Sequence, residues 1–251
     1  MKTIVYQKSK GLTDAQLSYC PGCTHGIVHK LVSEALVELD VLDKAVGIAS
    51  VGCSVLSYNF FNCDMVQAAH GRACAVATGI KRARPEAIVF SYQGDGDLAS
   101  IGIAETIHAA NRGENLTVIF INNAIYGMTG GQMAPTTLLG QKTTTSPLGR
   151  DSKLHGLPIR IAEIFSEIPR AVFVERVSVH NPRAVRNAKK AILKAFRNQI
   201  EARGFSLVEV LSTCPVNWGM TPVEALRWVE QEMMAYYPVK TFRDGDADEK
   251  A

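Results

Sequence analysis

Two short apolar runs, at residues 87–92 and 116–121, constrain the fold more than anything else in the chain. Each is too short for a buried helix and is bounded by Gly, Asp or Asn, the pattern of a strand covered on both faces. Between them, from about 98 to 110, the apolar spacing is helical, so the three segments read as a β-α-β unit with a crossover helix. The same alternation recurs on either side. Ile27, Leu31, Ala35, Leu36 and Leu39 place a helix directly after Cys20 and Cys23, followed by a strand at 45–49 and a helix from about 71 to 82. A Gly/Thr/Pro-rich stretch from 122 to about 156 precedes a helix near Ile159, a strand at 171–177, a helix from 182 to about 198 and a strand at 205–211. This order predicts an α/β fold with a mostly parallel sheet in three α/β/α layers.

With 251 residues, 47% of them hydrophobic, and no repeat or low-complexity linker, the chain is expected to form one domain over 1–251. The acidic end, from about 240 to 251, reads as a flexible tail. No apolar run approaches the ~20 residues of a membrane span, and the opening MKTIVYQKSKG lacks the apolar core of a secretory signal, so a cytoplasmic protein without membrane contact is expected. The 27 basic and 24 acidic residues are interspersed, which disfavours nucleic acid as a partner. Six cysteines are too sparse for a disulfide framework and read as thiols, metal ligands or redox groups.

Ligands of parallel sheets bind at the carboxyl ends of the strands, where Gly94-Asp95-Gly96-Asp97 and Asn122-Asn123 both fall. Gly94, Gly96 and Ala99 fit the spacing of a dinucleotide-binding turn. Two carboxylates would repel a pyrophosphate, however, and the next acid, Glu114, precedes the following strand where a ribose-binding acid should follow it. A divalent cation between Asp95 and a diphosphate removes the repulsion, because Mg²⁺ takes oxygen ligands from one or two carboxylates plus phosphates. Asparagine at the adjacent strand end would supply another oxygen, and Gly94 and Gly96 would let backbone N–H groups approach the anion. The competing reading is a tight β-α turn with solvated acids and a surface Asn-Asn turn.

Cys20 and Cys23 form a C-x-x-C pair before the first helix, Cys53 lies in Ser50-Val51-Gly52-Cys53-Ser54, and Cys214 lies in Ser212-Thr213-Cys214-Pro215. Loop ends of this kind can converge at one edge of a parallel sheet and close a tetrahedral sulfur site. A Cys₄ zinc site, a thioredoxin-like redox pair and four unrelated buried thiols remain alternatives on spacing alone. Residues 1–19 offer no strand and helix for a thioredoxin unit. Cys63, in a loop, and Cys74, in an apolar helix, read as ordinary thiols.

Gly94-Asp95-Gly96 and Asn122-Asn123, with Asp95 and Asn123 28 positions apart, resemble the GDG…NN signature of thiamine-diphosphate enzymes. Together with the four cysteines, the chain from about Cys20 to Trp218 resembles the β subunit of the 2-oxoacid:ferredoxin oxidoreductases, most closely the 2-oxoisovalerate and 2-oxoglutarate types. The resemblance implies a thiamine-diphosphate-binding fold with three cofactors: thiamine diphosphate, Mg²⁺ and a 4Fe-4S cluster. It implies Mg²⁺ on Asp95, Asn123 and the Ile125 carbonyl, and a diphosphate wrapped by Ile125, Tyr126, Gly127, Met128 and Thr129. Gly52, Cys53, Ser54, His70, Gly94, Gly96 and Asp97 complete the implied cofactor contacts, and Cys20, Cys23, Cys53 and Cys214 the implied cluster ligands. The implied reaction is oxidative decarboxylation of a 2-oxoacid, with coenzyme A taking the acyl group and ferredoxin the electrons. Zinc, which has no redox chemistry, would not serve. The resemblance assigns the glutamate that activates the cofactor to a second domain, so no catalytic side chain beyond the cofactor site is expected here. The implied partners are an α subunit with a pyrimidine-binding domain, a coenzyme A-associated γ subunit and a ferredoxin-like δ subunit.

His25 and His29, spaced i and i+4, would suit zinc in isolation; with four sulfurs available they read as a packed or solvated helix face. His70, before Gly71 and Arg72 at a helix start, reads either as facing the cofactor or as a cap. Residues 123–141 contain no Lys or Arg, and Cys53 is followed by Ser54, Val55 and Leu56. That apolar setting favours a branched-chain substrate such as 3-methyl-2-oxobutanoate, with 2-oxoglutarate the main alternative because a partner could supply the cation. A non-oxidative thiamine-diphosphate decarboxylase or synthase subunit would keep Asp95 and Asn123 without needing the cysteines, and a zinc-binding interaction module would leave GDG…NN without a purpose.

Overall fold

The computed structural model describes residues 6–245. The strands β1 (Ala45–Ala49), β2 (Asp64–Gln67), β3 (Ile88–Gly94), β4 (Thr117–Asn122), β5 (Ala171–Ser178), β6 (Phe205–Leu211) and β7 (Lys240–Asp244) form one sheet in the order β2-β1-β3-β4-β6-β5-β7. All neighbours are parallel except β5 and β7. β1, β3, β4, β5 and β6 are buried almost throughout, which is why their sequences carry apolar side chains without alternation.

The helices are α1 (His25–Glu38), α2 (Ala73–Ala83), α3 (Ile103–Asn111), α4 (Ser152–His155), α5 (Ile161–Ser166), α6 (Pro182–Ile200), α7 (Pro215–Trp218), α8 (Pro222–Trp228) and the short α9 (Met234–Tyr236). Leu31, Val32 and Leu36 of α1 and Ile192 and Phe196 of α6 pack on one sheet face, against Phe90, Ile119, Ile121 and Val208. α2, α3 and α5 cover the other, where Ala77, Ala110 and Phe165 join a cluster with Val89, Val118, Phe120 and Leu207. Consecutive residues of β4 thus feed opposite cores, and each fully buried Phe, Ile or Leu contributes about 1.5–3 kcal/mol. α6 starts where Asn181 Oδ1 accepts from the Ala184 N–H at 2.9 Å, with Pro182 in its first turn. The expected three-layer α/β/α architecture is present.

Four local expectations need correction. β3 runs two residues past Tyr92, to Gly94. The helix expected from 98 is broken: a π-turn at Asp97–Ile101 kinks at Ser100 (φ −114°, ψ −105°) before α3 begins. The kink accompanies a close backbone crossing, since a Cβ on Gly102 would lie 2.9 Å from the Gly71 Cα. The two edge strands were not foreseen, and β2 and β7 are short and mostly solvent-facing. The tail expected from about 240 is instead strand β7 over Lys240–Asp244, paired with β5 and holding Phe242 4.9 Å from the Arg176 guanidinium. An edge strand needs one buried side and a main-chain partner, so the polar sequence KTFRD suffices; residues 246–251 lie outside the described residues. Among the described residues no helix is long and apolar enough to cross a membrane.

Candidate active site

The loops leaving β1, β3, β4 and β6, four consecutive neighbours in the sheet, carry Cys53, Asp95, Asn123 and Cys214 at one edge. The loops leaving β1, β3 and β4 border a cleft, and the Cys214 loop stands beside it at Gly127. Gly52, Cys53, Ser54, His70, residues 94–97, Asn123 and residues 125–129 all line it, together with Val51 and His25.

At one end, buried Asp95 accepts from the Gly96 N–H at 2.8 Å and from the Thr136 hydroxyl at 2.6 Å. Burial pushes its carboxyl up to about 6 against the pull of these donors, and a cation there would offset the desolvation. Asn123 Oδ1 faces the Ile125 N–H at 3.4 Å. Between them Ala124 is left-handed (φ 57°), a conformation uncommon for a residue with a Cβ. Asn122 Oδ1 accepts from its N–H at 3.2 Å, while Thr137 Oγ1 and Gln141 Nε2 donate to its carbonyl at 2.7 and 3.2 Å. These bonds hold the strained turn that folds Asn123 and Ile125 back toward Asp95. A carboxylate, an amide oxygen and a backbone carbonyl form the hard-oxygen set that suits Mg²⁺.

The two motif glycines act differently. A Cβ at Gly94 would meet nothing within 4 Å, so its backbone opens on the cleft, whereas a Cβ at Gly96 would stand 2.3 Å from the Tyr126 ring. Gly96 therefore makes room for Tyr126, whose hydroxyl donates to Ser100 Oγ at 2.8 Å. Asp97 lines the cleft with its oxygens already engaged by His70 Nδ1 (2.6 Å), the Gly71 N–H (2.7 Å) and Gln93 Nε2 (2.6 Å). It orients His70, which leaves Nε2 for the cleft; α2 has Arg72 at its N-cap and no side-chain cap bond, so His70 is not a cap.

Cys53 and Cys214 meet the 125–129 loop at Gly127, where a Cβ would lie 3.3 and 3.5 Å from their sulfurs. The C-x-x-C loop is bound to the Cys214 segment by Thr24 Oγ1 with Ser212 Oγ (2.6 Å), the Thr213 N–H to Thr24 Oγ1 (3.2 Å) and Thr213 Oγ1 to the Gly22 carbonyl (2.7 Å). Tyr19 donates to the Cys53 carbonyl at 3.2 Å, tying in the third loop. Gly22 is obligatory, since φ is +79° and a Cβ would fall 2.5 Å from Pro222. Burial pushes the Cys23 thiol up to about 12 and Cys53 up to about 11, and raises Cys214; neighbouring cysteines of the set push each the same way. Three thiols whose ionisation is opposed by burial and by neighbouring cysteines suit a cationic centre. Among the described residues no three His, Cys, Asp or Glu side chains close around a single ion.

Cys74 is buried against Gln93 and Cys63 lies beside Met65, both as ordinary thiols. His25 and His29 are buried and packed: His29 lies 4.7 Å from the Phe61 and Tyr92 rings, and His25 Nδ1 is 2.8 Å from the Tyr92 hydroxyl. Burial lowers both, His25 to about 4. Glu114 is bound by Arg82 and Arg112, a structural role. Reading the sequence missed His25 as a cleft residue and Gln93, Thr136, Thr213 and Asn217 as supports. Only the Thr136-Thr137 pair, inside the Gly/Thr/Pro-rich stretch, carried a signal.

A family model for the C-terminal TPP binding domain of thiamine pyrophosphate enzymes matches residues 50–210. The ketoisovalerate oxidoreductase subunit VorA of Methanothermobacter thermautotrophicus is 50% identical over 244 residues, 97% of this chain and 51% of that protein, so the chain spans about half its length. The 2-oxoglutarate synthase subunit KorB of Archaeoglobus fulgidus is 39% identical over 213 residues, 85% of this chain and 75% of that protein. A solved chain of the 2-oxoglutarate:ferredoxin oxidoreductase from Magnetococcus marinus, with 2-oxoglutarate, coenzyme A and succinyl-CoA bound, matches with TM-score 0.79 and 25% identity over 98% of this chain and 87% of that one. With a parallel sheet, a GDG…NN cleft and these relatives, the chain belongs to the thiamine-diphosphate-binding subunits of the 2-oxoacid:ferredoxin oxidoreductase family.

Proposed function

We propose that the chain is the β subunit of an enzyme that oxidatively decarboxylates a 2-oxoacid with coenzyme A to acyl-CoA and CO₂, electrons passing through a 4Fe-4S cluster to ferredoxin. The observation that carries this reading is the meeting at Gly127, where the diphosphate loop touches Cys53 and Cys214. Asp95, Asn123 and the Ile125 carbonyl would hold Mg²⁺, residues 126–129 would wrap the diphosphate, and Cys20, Cys23, Cys53 and Cys214 would hold the cluster. When bound, thiamine diphosphate supplies the decarboxylation chemistry and the cluster a one-electron acceptor. The chain's own residues position both: Thr136 and the Ala124 turn fix the cation ligands, Asp97 fixes His70, and the Thr24–Ser212–Thr213 bonds fix the cysteine loops.

Among the described residues the acids lining the cleft are Asp95 and Asp97, both engaged. That supports an α subunit bringing the activating carboxylate, in an assembly with γ and δ subunits. Free cysteines throughout the described chain suit the reducing cytoplasm. Among the described residues no Lys or Arg lines the cleft, whereas Val51, Ile125 and Met128 do, which favours a branched-chain 2-oxoacid such as 3-methyl-2-oxobutanoate; similarity to the ketoisovalerate subunit points the same way. The 2-oxoglutarate relatives support that acid as the second reading. Iron, sulfide, zinc and thiamine content of the anaerobically purified complex, with ferredoxin reduction on both acids, tests the proposal. About four irons and sulfides per chain and a larger kcat/KM for the branched-chain acid are expected; zinc without sulfide would remove the electron-transfer reading, and preference for 2-oxoglutarate would replace the substrate.

A further inference from the structure

We infer that Asn217 tunes the reduction potential of the centre held by the four cysteines and links it to the cofactor loop. Its side-chain amide donates to both Cys214 Sγ (3.3 Å) and the Gly127 carbonyl (2.8 Å). The inference rests on the reading that these cysteines carry an iron-sulfur cluster.

Asn217 sits in the single turn α7, flanked by Cys214 at its N-cap and left-handed Gly219 (φ 64°) at its C-cap. Its side chain is half-buried against Gly131, where a Cβ would lie 3.2 Å from Asn217 Cβ and Oδ1. Both partners are acceptors, a sulfur ligand and a carbonyl, so the amide's NH₂ end faces them and its two hydrogens are divided between them. Among the described residues this is the one side-chain donor directed at any of the four sulfurs. A donor at a ligand sulfur stabilises the state with more negative charge, which for a cluster is the reduced one, and so raises its potential. Because the second hydrogen holds the loop that would wrap the diphosphate, the same amide senses how that loop is seated. Asn217 touches neither substrate nor reacting atoms in this arrangement and is a positioning residue.

The test is a dye-mediated redox titration of the complete complex, following the cluster by electron paramagnetic resonance. Asn217→Leu should move the midpoint to a more negative potential with iron, sulfide and thiamine content unchanged. Asn217→Asp, which keeps the shape and replaces the donor by an anion, should move it further in the same direction. Unchanged midpoints in variants that retain the cluster would overturn the inference. If both variants lose the cluster, labelling the unmodified complex with asparagine carrying ¹⁵N only in the side-chain amide, which leaves the Asn217 backbone N–H at Cys214 unlabelled, decides: a changed weak nitrogen coupling in pulsed resonance supports it, and an identical spectrum overturns it. A complex without iron and sulfide before any substitution would instead remove the cluster reading itself, and this inference with it.

Discussion

Arg176→Met should destabilise the chain by about 3–5 kcal/mol, because it removes one partner from a fully buried ion pair. Arg176 on β5 and Glu209 on β6 are cross-strand neighbours and both side chains are 0% exposed. Arg176 Nε stands 2.9 Å from Glu209 Oε2, out of line for a hydrogen bond, while the guanidinium donates to both oxygens of Glu163. Glu209 is also held by Asn122 Nδ2 at 2.8 Å and the Ala162 N–H at 3.3 Å. Methionine fills much of the arginine stem's volume beside Tyr237 and Phe242, so the cost is dominated by the stranded Glu209 carboxylate; Glu163, 29% exposed, can turn to water. The double variant Arg176→Met/Glu209→Gln keeps the acceptor for Asn122, removes the stranded charge and should recover most of the loss. Burial raises the Glu209 carboxyl and Arg176 pulls against it. Without Arg176 the folded-state value rises further above the unfolded one, so the folded state binds the extra proton and the variant gains stability as pH falls. Urea unfolding at pH 5 and pH 8 measures this: the single variant's midpoint should drop by at least about 1 M at pH 8, and by less at pH 5. A loss under about 1 kcal/mol with no pH dependence would refute the account.

Asp95→Ala should abolish retention of thiamine diphosphate and Mg²⁺, read by cofactor content after desalting; unchanged thiamine would disprove the cation site. Cys214→Ala should lose the visible absorption of the cluster while the thiamine site stays filled, and full ferredoxin reduction by that variant would mean the cysteine set is wrong. At Ala124, glycine should stay within about 1 kcal/mol of the parent because it relieves the left-handed strain while loosening the unfolded chain; valine should cost more and weaken cofactor binding, and equal melting temperatures for the two would contradict the strain. Gly96→Ala should cost about 1–3 kcal/mol by overpacking against the Tyr126 ring, seen as a lower melting temperature with fewer bound cofactors.

The buried strands were legible because a strand covered on both faces has no polar side to hide, as residues 88–94 and 117–122 illustrate. The site was legible for a related reason: parallel connectivity places every βα loop at one edge, so Cys53, Asp95, Asn123 and Cys214 converge whatever their separation in sequence. Edge strands β2 and β7 were hidden because half their backbone faces water and their polarity resembles that of a loop. The kink at Ser100 accompanies the Gly71 and Gly102 crossing, a tertiary contact with no local signature. Asn217 and Thr213 escaped for the same reason, since a lone polar side chain gains its role only from the loop packed against it.

The Thr24 to Ser212 contact joins residues 188 positions apart. Hydroxyls, not metal–sulfur bonds, therefore close a ring of most of the polypeptide, and its loop-closure entropy is met by the protein itself. The loops carrying Cys23 and Cys214 are consequently held side by side by the protein's own hydrogen bonds, so on the proposed reading a centre would load into a chain already folded. On the same reading, loss of that centre would leave these loops joined and the chain folded, so that iron and sulfide would refill it without a folding step.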